Sequence, residues 1–428
     1  MFSDRLTETT RRKFLQLSAL GVGAASASGW LEVLARRASA APAAIGKKAK
    51  SCIVLWMAGG PSHKDTFDLK PASTGAGEFK PIATSATGLQ ISEHLPKLAK
   101  LMHHGIVVRG MSTQEGAHPR ASYNMHTGYR EGQGGLVYPS LGAIVARETG
   151  KTDSSIPGFV SIGNRNYGSG FLGPKYQPLL VQDPTRGGED LKAIVSETQL
   201  DKRIGLLQEM EKAFQSEYRA GAITDHKTTY ERAVKLMHSK ESKAFDLSQE
   251  PSSNRSKYGS GRFSDGVLMA RRLVDIGVPF VEVSLGGWDT HQDNFTRVKN
   301  LSGQIDTPIA ALLDDLKQRG LLDSTLVVWM GEFGRTPHIN KRGAKPGRDH
   351  YPRAWSLAMW GGGLKGGQVI GKTDAQGAAV VDQKVACPDF LATVCDLMGI
   401  DHTKKNETAG GRPITIVDKP KPFTQLVV

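Results

Sequence analysis

Carboxylate and imidazole side chains stand directly after several apolar runs of this 428-residue sequence, where they could bind a metal ion. Asp289 and His291 lie two positions apart in residues 286–294, GGWDTHQDN. Asp offers a hard oxygen ligand and His a borderline nitrogen ligand, a combination that suits zinc, manganese or iron. The alternative is a hydrogen-bonded turn in which Asp289 caps the following helix. The motif alone leaves both interpretations open.

Two further polar groups follow later apolar runs. Glu332 comes after residues 324–330, and Arg335 follows it three positions later. The two could form a structural ion pair, or they could join a metal ligand to a clamp for sulfate or phosphate, because a guanidinium group binds such oxyanions through paired hydrogen bonds. His350, in the loop sequence RDHYP of residues 348–352, could be an ordinary loop histidine. Its place among the other clusters favours metal binding.

A fourth cluster occupies residues 116–128, GAHPRASYNMHTG, and is typical of a loop that enters a helix. Free backbone N–H groups and the helix dipole favour anions at such a position. The alternative is a capped helix with exposed histidines. Asp65 belongs to a fifth polar group, residues 62–65, which follows the first apolar run of the chain.

The elements that position these clusters follow a βαβ pattern. Short apolar runs alternate with helical patterns, which predicts an α/β fold with a mainly parallel central sheet and helices on both faces. The predicted strands are residues 52–57, 105–109, 278–284, 324–330 and 355–360. The predicted helices are residues 94–103, 139–149, 264–276, 305–319 and 388–398. Because ligands of open α/β sheets bind beyond the carboxyl ends of the strands, the clusters should share one site.

The domain organisation is predicted as an export signal followed by a single domain. Residues 1–40 contain TTRRKFL, a short apolar run and a small-residue cleavage site, which resembles a twin-arginine signal. A chance arginine pair in an amphipathic helix is the alternative. Residues 41–428 form the predicted domain, with a helical insertion at about 186–262 that is rich in Lys, Glu, Gln and Ser. The protein is therefore expected in the periplasm or outside the cell, with the twin-arginine export machinery as a partner.

Composition excludes several other classes of protein. Three cysteines are too few for a disulfide framework or a Cys-rich zinc site. The formal charge of +13 comes from scattered basic residues without a nucleic-acid-binding module, so no nucleic-acid partner is expected; a preference for anionic substrates is the minority interpretation of this basic surface. No run approaches the roughly 20 apolar residues of a membrane span, so the mature chain should have no integral membrane segment.

Taken in order, these motifs resemble the alkaline phosphatase and sulfatase superfamily. Within it, the chain is similar to domain-of-unknown-function family 1501. The matching segments are residues 59–71, 118–128, 287–291, 331–337 and 347–352.

The resemblance implies a metal centre that binds a phosphate or sulfate ester, with an activated Ser, Thr or modified Cys as nucleophile. The nucleophile of the superfamily stands nine residues before a Thr-Gly pair, and His118 occupies that position here. The first strand of the superfamily usually ends in Asp, but here it meets Gly59 and Gly60, which leaves Asp65 as the nearest carboxylate. Glu282 lies near a position where some relatives bind magnesium, although its alternation with apolar residues also suits a solvent-facing side chain.

The expected function is that of an exported metal-dependent hydrolase-like protein acting on sulfate or phosphate esters, including those of polysaccharides or other polyanions. The expected metal ligands are Asp65, Asp289, His291, Glu332 and His350, and the expected catalytic residues are His118 and Arg335. Three roles remain open for His118. It could be a ligand of a rearranged metal site or a phosphorylatable nucleophile. Alternatively, the protein has lost catalysis and binds an anionic ligand or polysaccharide.

Overall fold

The first predicted strand forms the centre of the fold in a computed structural model of the chain. Strand β1, Ser51–Met57, has every residue buried. The apolar side chains at its odd-numbered positions pack into one apolar cluster, and those at its even-numbered positions pack into a second. Because alternate side chains of a strand point to opposite faces, β1 lies between two cores.

The structure describes residues 48–150, 154–164, 167–187, 191, 193–217 and 230–423, with only the backbone described at 211 and 213–217. These residues belong to one compact unit, Ile45–Val428. The predicted signal, residues 1–40, lies outside the described residues. None of the helices in the described part combines the length and apolar character that a bilayer crossing requires.

The main sheet has eight strands in the order β12-β4-β11-β8-β1-β7-β5-β6. With β1 they are β4 Gly105–Met111, β5 Phe159–Ile162, β6 Leu179–Val181, β7 Phe280–Leu285, β8 Thr325–Met330, β11 Trp355–Gly361 and β12 Gln368–Ile370. Strand β11 is antiparallel to both of its neighbours, and the other neighbouring pairs are parallel. The prediction of a mainly parallel sheet is confirmed, with β11 as the exception.

Shorter strands form four two-stranded sheets outside the main one. They are β2 Pro81–Ala83 with β3 Gln90–Ser92, β9 Gly334–Arg335 with β10 His350–Tyr351, β13 Lys372–Thr373 with β14 Val380–Asp382, and β15 Lys405–Glu407 with β16 Pro413–Thr415. The pair β9 and β10 matters most for the site, because it places His350 opposite Arg335 in an antiparallel register.

Helices cover both faces of the sheet, as predicted. They are α1 Pro96–Ala99, α2 His118–Thr127, α3 Leu141–Thr149, α4 Glu197–Glu217, α5 Ser252–Arg255, α6 Arg262–Asp275, α7 Asn294–Gln318 and α8 Cys387–Leu397, with a further helical stretch at 230–237. Short 3₁₀ helices are His63–Asp65, Met102–His104, Gln133–Gly135, Gly170–Leu172, Pro174–Tyr176, Lys240–Phe245, Leu247–Gln249, Ser256–Tyr258 and Leu322–Ser324. Helices α6 and α7 pack into one core, and α3 and α8 pack into the other.

A buried ion-pair cluster joins the helical insertion to α6 and α7. Glu250, in the insertion, pairs with Arg271 and Arg272 of α6. The Nε atom of Arg271 also lies 2.9 Å from Oδ2 of Asp315 on α7. Because the Arg271 side chain is only 3 % exposed, its charge depends on these carboxylates for compensation.

Replacing Glu250 with Gln should lower stability at neutral pH, and the difference from the parent protein should shrink in acid. Burial would raise the pKa of Glu250, but hydrogen bonds from Arg271, Asn254 and Arg272 lower it from 4.5 to about 2. A carboxyl group with a depressed folded-state pKa stabilises the fold fully above its unfolded pKa, and this contribution is lost as the pH falls towards the folded value. Melting temperatures measured between about pH 7 and pH 2.5 check this. The exposed Glu407→Gln variant serves as the control, and a pH-independent difference for Glu250→Gln would contradict the expectation.

Candidate metal centre

The polar clusters meet beyond the carboxyl ends of the central strands, as the sheet topology requires. Asp289 and His291 follow β7, and Glu332 lies two residues after the end of β8. His118 is the first residue of α2, and His350 stands on β10 rather than on a loop. With Arg335, whose Nη2 atom lies 2.6 Å from Oδ1 of Asp289, the structure brings six of the seven predicted site residues together, and Asp65 is the exception.

Three imidazole rings converge on one carboxylate oxygen, Oδ1 of Asp289. The Nε2 atoms of His118, His291 and His350 lie 3.3, 3.1 and 3.3 Å from it. The Nε2 atoms of His291 and His350 lie 2.9 Å from each other. We call Asp289, His118, His291 and His350 the candidate metal cluster.

The second ring nitrogen of each histidine has its own partner behind the cluster. Nδ1 of His118 lies 2.6 Å from Oε1 of Glu332, and Nδ1 of His291 lies 2.9 Å from Oδ1 of Asp349. Nδ1 of His350 lies 2.8 Å from the carbonyl oxygen of Gly116. Since carboxylate and carbonyl oxygens accept hydrogen bonds, each Nδ1 carries the hydrogen. A neutral ring then directs the lone pair of Nε2 into the cluster.

Imidazole lone pairs that face a carboxylate oxygen repel it unless a cation lies among them. Nε2 of His118 is buried without a hydrogen-bond partner among the described residues. Ligand atoms about 2.0–2.1 Å from a tetrahedral zinc ion lie roughly 3.3–3.4 Å apart. The Nε2 atoms of His118 and His350 each lie 3.3 Å from Oδ1 of Asp289, which is close to this value. Ligand atoms of His118, Asp289 and His350 all lie within 4.8 Å of one another, so these three residues fit a single divalent metal ion. His291 lies beside them, with its Nε2 atom 2.9 Å from that of His350.

The charges around the cluster also suit a cation. Partial burial would raise the pKa of Asp289, but the charge and hydrogen bond of Arg335, with His118 and His291 nearby, lower it to about 2. Burial and neighbouring positive charge lower the pKa of His350. Burial alone would lower the pKa of His118 too, but the hydrogen bond and charge of Glu332, with the charge of Asp289, raise it above its ordinary value. The carboxylates thus favour a positive charge on or beside His118.

A glycine turn after β1 lets the backbone approach the cluster. Gly59 has φ of 114°, and a Cβ atom there would lie 2.3 Å from the backbone nitrogen of Asp289. The N–H of Gly59 donates to Oε1 of Glu332 at 2.9 Å. The glycines that replace the expected first-strand Asp therefore supply backbone groups and close packing instead of a ligand.

The family described as "Protein of unknown function (DUF1501)" matches residues 49–427. The chain belongs to this family. The family prediction made from the motifs is confirmed. No curated protein matches the chain in sequence.

Several solved structures are similar to this DUF1501 chain at low identity. The PsFucS1 sulfatase from Pseudoalteromonas sp. is 15% identical, with 85% of this chain and 70% of that chain covered and a TM-score of 0.40. The C-terminal periplasmic domain of EcEptC from Escherichia coli, in complex with Zn, is 12% identical, with 83% of each chain covered and a TM-score of 0.40. Alkaline phosphatase from the Antarctic bacterium TAB5 is 12% identical, with 83% and 99% covered and a TM-score of 0.38.

Glu332 lies behind a histidine rather than within the cluster. Its Oε1 atom faces both Nδ1 of His118 and the N–H of Gly59, and its side chain is 2 % exposed. Oε2 is buried and has no hydrogen-bond partner among the described residues. The carboxylate thus orients His118, a role that outer partners of metal-binding histidines commonly have.

Replacing Glu332 with Gln should weaken metal binding by roughly 10- to 100-fold, because the amide cannot provide the negative charge that holds Nδ1–H of His118. Competition with a chelator at graded concentrations measures the affinity. Glu115→Gln is the matched control, since Glu115 pairs with exposed Arg120. Equal metal affinity of the Glu332→Gln variant and the parent would contradict the orienting role.

Arg335 is enclosed by protein groups. Its side chain is 0 % exposed. Nε donates to the carbonyl oxygen of Gly60 at 3.0 Å, and Nη2 donates to Oδ1 of Asp289 at 2.6 Å and to the carbonyl oxygen of Gly59. In this arrangement Arg335 positions Asp289, and the guanidinium is not placed to clamp a substrate oxyanion.

Asp65, the other predicted ligand outside the cluster, forms a buried ion pair with Arg348. Its two oxygens lie 2.8 and 3.2 Å from Nε and Nη2 of Arg348, and Asn294 donates to it at 2.9 Å. Arg348 also donates to the carbonyl oxygens of Thr336, Pro337 and Gly75. With both oxygens occupied in this way, Asp65 is not among the residues to which we assign metal binding.

Sequence reasoning missed one polar partner, Asp349, and left the role of another, Glu282, open. Asp349 holds His291, and its signal was its place next to His350 in a loop that already carried a candidate ligand. Glu282 is 1 % exposed and lies 3.3 Å from Nε2 of His126, so the solvent-facing interpretation is wrong. Burial would lower the pKa of His126, but Glu282 raises it. Alternation along β7 cannot distinguish a solvent-facing Glu from a buried one with a distant partner.

Proposed function

We propose that this protein is an exported metal-dependent hydrolase of phosphate or sulfate esters. The observation that carries the proposal is the convergence of the three histidine Nε2 atoms on Oδ1 of Asp289 at 3.1–3.3 Å. A divalent metal, when bound, acts as a Lewis acid on an ester oxygen and lowers the pKa of a coordinated water. Zinc, manganese and iron all suit this ligand set.

The chain's own residues would hold and shield this centre. Asp289, His118 and His350 would bind the ion. His291 would lie beside it, while Glu332 and Asp349 hold the rings of His118 and His291 in place. The four cluster side chains remain 26–44 % exposed, so an ester group can reach them from solvent.

Water is the attacking group in this proposal. His118 occupies the position of the superfamily's nucleophile, yet its Nδ1 atom faces Glu332 and its Nε2 atom faces the cluster. The three cysteines are buried. Hydrolysis then breaks the ester bond with the elements of water added, which releases an alcohol and inorganic phosphate or sulfate.

Basic side chains at the rim support an anionic substrate. Arg342 and Lys345 are 74 % and 59 % exposed and lie on the loop that precedes His350. Each pairs with one acidic residue, Asp349 and Asp293 respectively. Such exposed cations beside a metal centre attract polyanions, including sulfated or phosphorylated polysaccharides.

Hydrolysis of 4-nitrophenyl phosphate and 4-nitrophenyl sulfate tests the proposal. We expect activity that a chelator abolishes and that added zinc, manganese or iron restores. A metal-loaded protein that cleaves neither ester but binds a sulfated oligosaccharide would favour the second candidate, an anion-binding relative without catalysis. The observation that favours this alternative is the position of His118, which stands where the superfamily has its nucleophile but has both ring nitrogens facing protein carboxylates.

A further inference from the structure

A cavity opens at the edge of the main sheet opposite the candidate metal cluster. It has a volume of about 450 Å³ and is lined by residues that precede strands: Lys50 before β1, Gly158 before β5 and Pro279 before β7. The cluster residues instead follow strands. Since β1 has seven residues at about 3.3 Å each, the two sites are on the order of 20 Å apart.

The described lining of this cavity is strongly basic. It includes five basic side chains and one carboxylate: Lys50, Arg147, Lys175, Arg232, Lys235 and Glu231. Lys50 and Lys175 are exposed, whereas Arg147 and Arg232 are partly buried. Cations that line one concave surface repel one another and raise the local concentration of anions.

Arg232 lacks a carboxylate partner within the described part of the chain. Its Nη1 atom donates to the carbonyl oxygens of Lys175 at 2.6 Å and Pro174 at 3.3 Å. Burial lowers the pKa of its guanidinium. A guanidinium has five N–H donors, so Arg232 keeps donors beyond these two contacts for a ligand. Withdrawing such a charge from water is unfavourable unless an anion compensates it.

We propose that this cavity binds a small phosphate or sulfate group, either free or as the monoester of a small molecule, with Arg232 as the principal contact. A planar guanidinium binds tetrahedral oxyanions through paired hydrogen bonds. The cavity volume is in the range of small-molecule sites. This binding is separate from the proposed ester hydrolysis and needs none of the metal-cluster residues.

Calorimetric titration of the full-length His350→Ala variant tests the proposal, because that substitution disables the metal cluster. Inorganic phosphate and glycerol 2-phosphate serve as probes. We expect one saturable site per chain. Arg232→Gln and, separately, Lys50→Gln should each weaken binding at least about tenfold, since each removes a charged contact. Tighter binding of glycerol 2-phosphate identifies a monoester as the ligand, and equal or weaker binding identifies free phosphate.

Lys405→Gln is the control, because Lys405 is exposed on β15 and does not line the cavity. Saturable binding whose affinity is unchanged in the Arg232→Gln variant and also in the separate Lys50→Gln variant would overturn the proposal. So would the absence of saturable binding in the His350→Ala variant. Failure of the ester-hydrolysis assay leaves the result here unaffected, since the titration does not depend on the cluster.

Discussion

Asp289→Asn should give a folded protein that retains less than about one tenth of the metal held by the parent protein. Oδ1 of Asp289 is the atom on which all three imidazole Nε2 atoms converge. An amide has the same shape but no negative charge, so the cation loses its anionic ligand. Loss of a direct ligand should exceed the effect of losing an outer partner such as Glu332. Ester hydrolysis should fall in parallel with metal content.

Metal content per chain, measured by mass spectrometry after purification without chelator, checks this expectation. Asp293→Asn is the matched control, because Asp293 lies four residues away and pairs with exposed Lys345. Asp293 has φ of 53°, a conformation that Asn also tolerates. The control should keep its metal. If Asp289→Asn also kept its full metal content, Asp289 would not be a ligand.

Asp65→Ala should lower the free energy of unfolding more than any other substitution named above. It should leave metal binding intact. The substitution leaves the Arg348 guanidinium, whose side chain is 0 % exposed, without its carboxylate. Removing one partner of a buried pair costs about 3–5 kcal/mol. Denaturant unfolding measures this loss, and the milder Asp65→Asn variant allows metal analysis if the alanine variant does not fold.

Asp382→Ala provides the comparison, since Asp382 is exposed at the end of β14. We expect its free energy of unfolding to stay within about 0.5 kcal/mol of the parent value. A stable Asp65→Asn protein that loses its metal would assign Asp65 to the metal site after all. An Asp65→Ala protein as stable as the parent would show that the ion pair with Arg348 contributes little.

The main strands could be predicted because their signal is local. The apolar run at residues 52–57 needed no partner to be recognised, and β1 extends it by one residue. Strand β11 was located correctly, but its antiparallel direction depends on how the chain returns to the sheet. The strands β5 and β6 have four and three residues, too short for a pattern to stand out.

The site could be predicted as a set of residue types at strand ends, but the partners of those residues could not. The carboxyl ends of parallel strands meet at one edge, which brings Asp289 and Glu332 together. By contrast, Asp65 and Arg348 are separated by 283 positions, and their pairing depends on tertiary packing. The same holds for Arg335, whose burial against Gly59 and Gly60 depends on a glycine turn that admits close approach. Residue type alone could not separate an anion clamp from a structural arginine.

An X-ray absorption spectrum at the metal edge tests the central claim most directly, recorded on protein purified without chelator. The arrangement around Asp289 predicts one divalent metal per chain, with at least two imidazole nitrogens, from His118 and His350, and one carboxylate oxygen at about 2.0–2.2 Å. Water molecules at the remaining coordination positions of the metal are compatible with the same spectrum. A protein that stays free of metal after incubation with zinc, manganese and iron would contradict the account, and so would a bound metal whose spectrum lacks imidazole ligands.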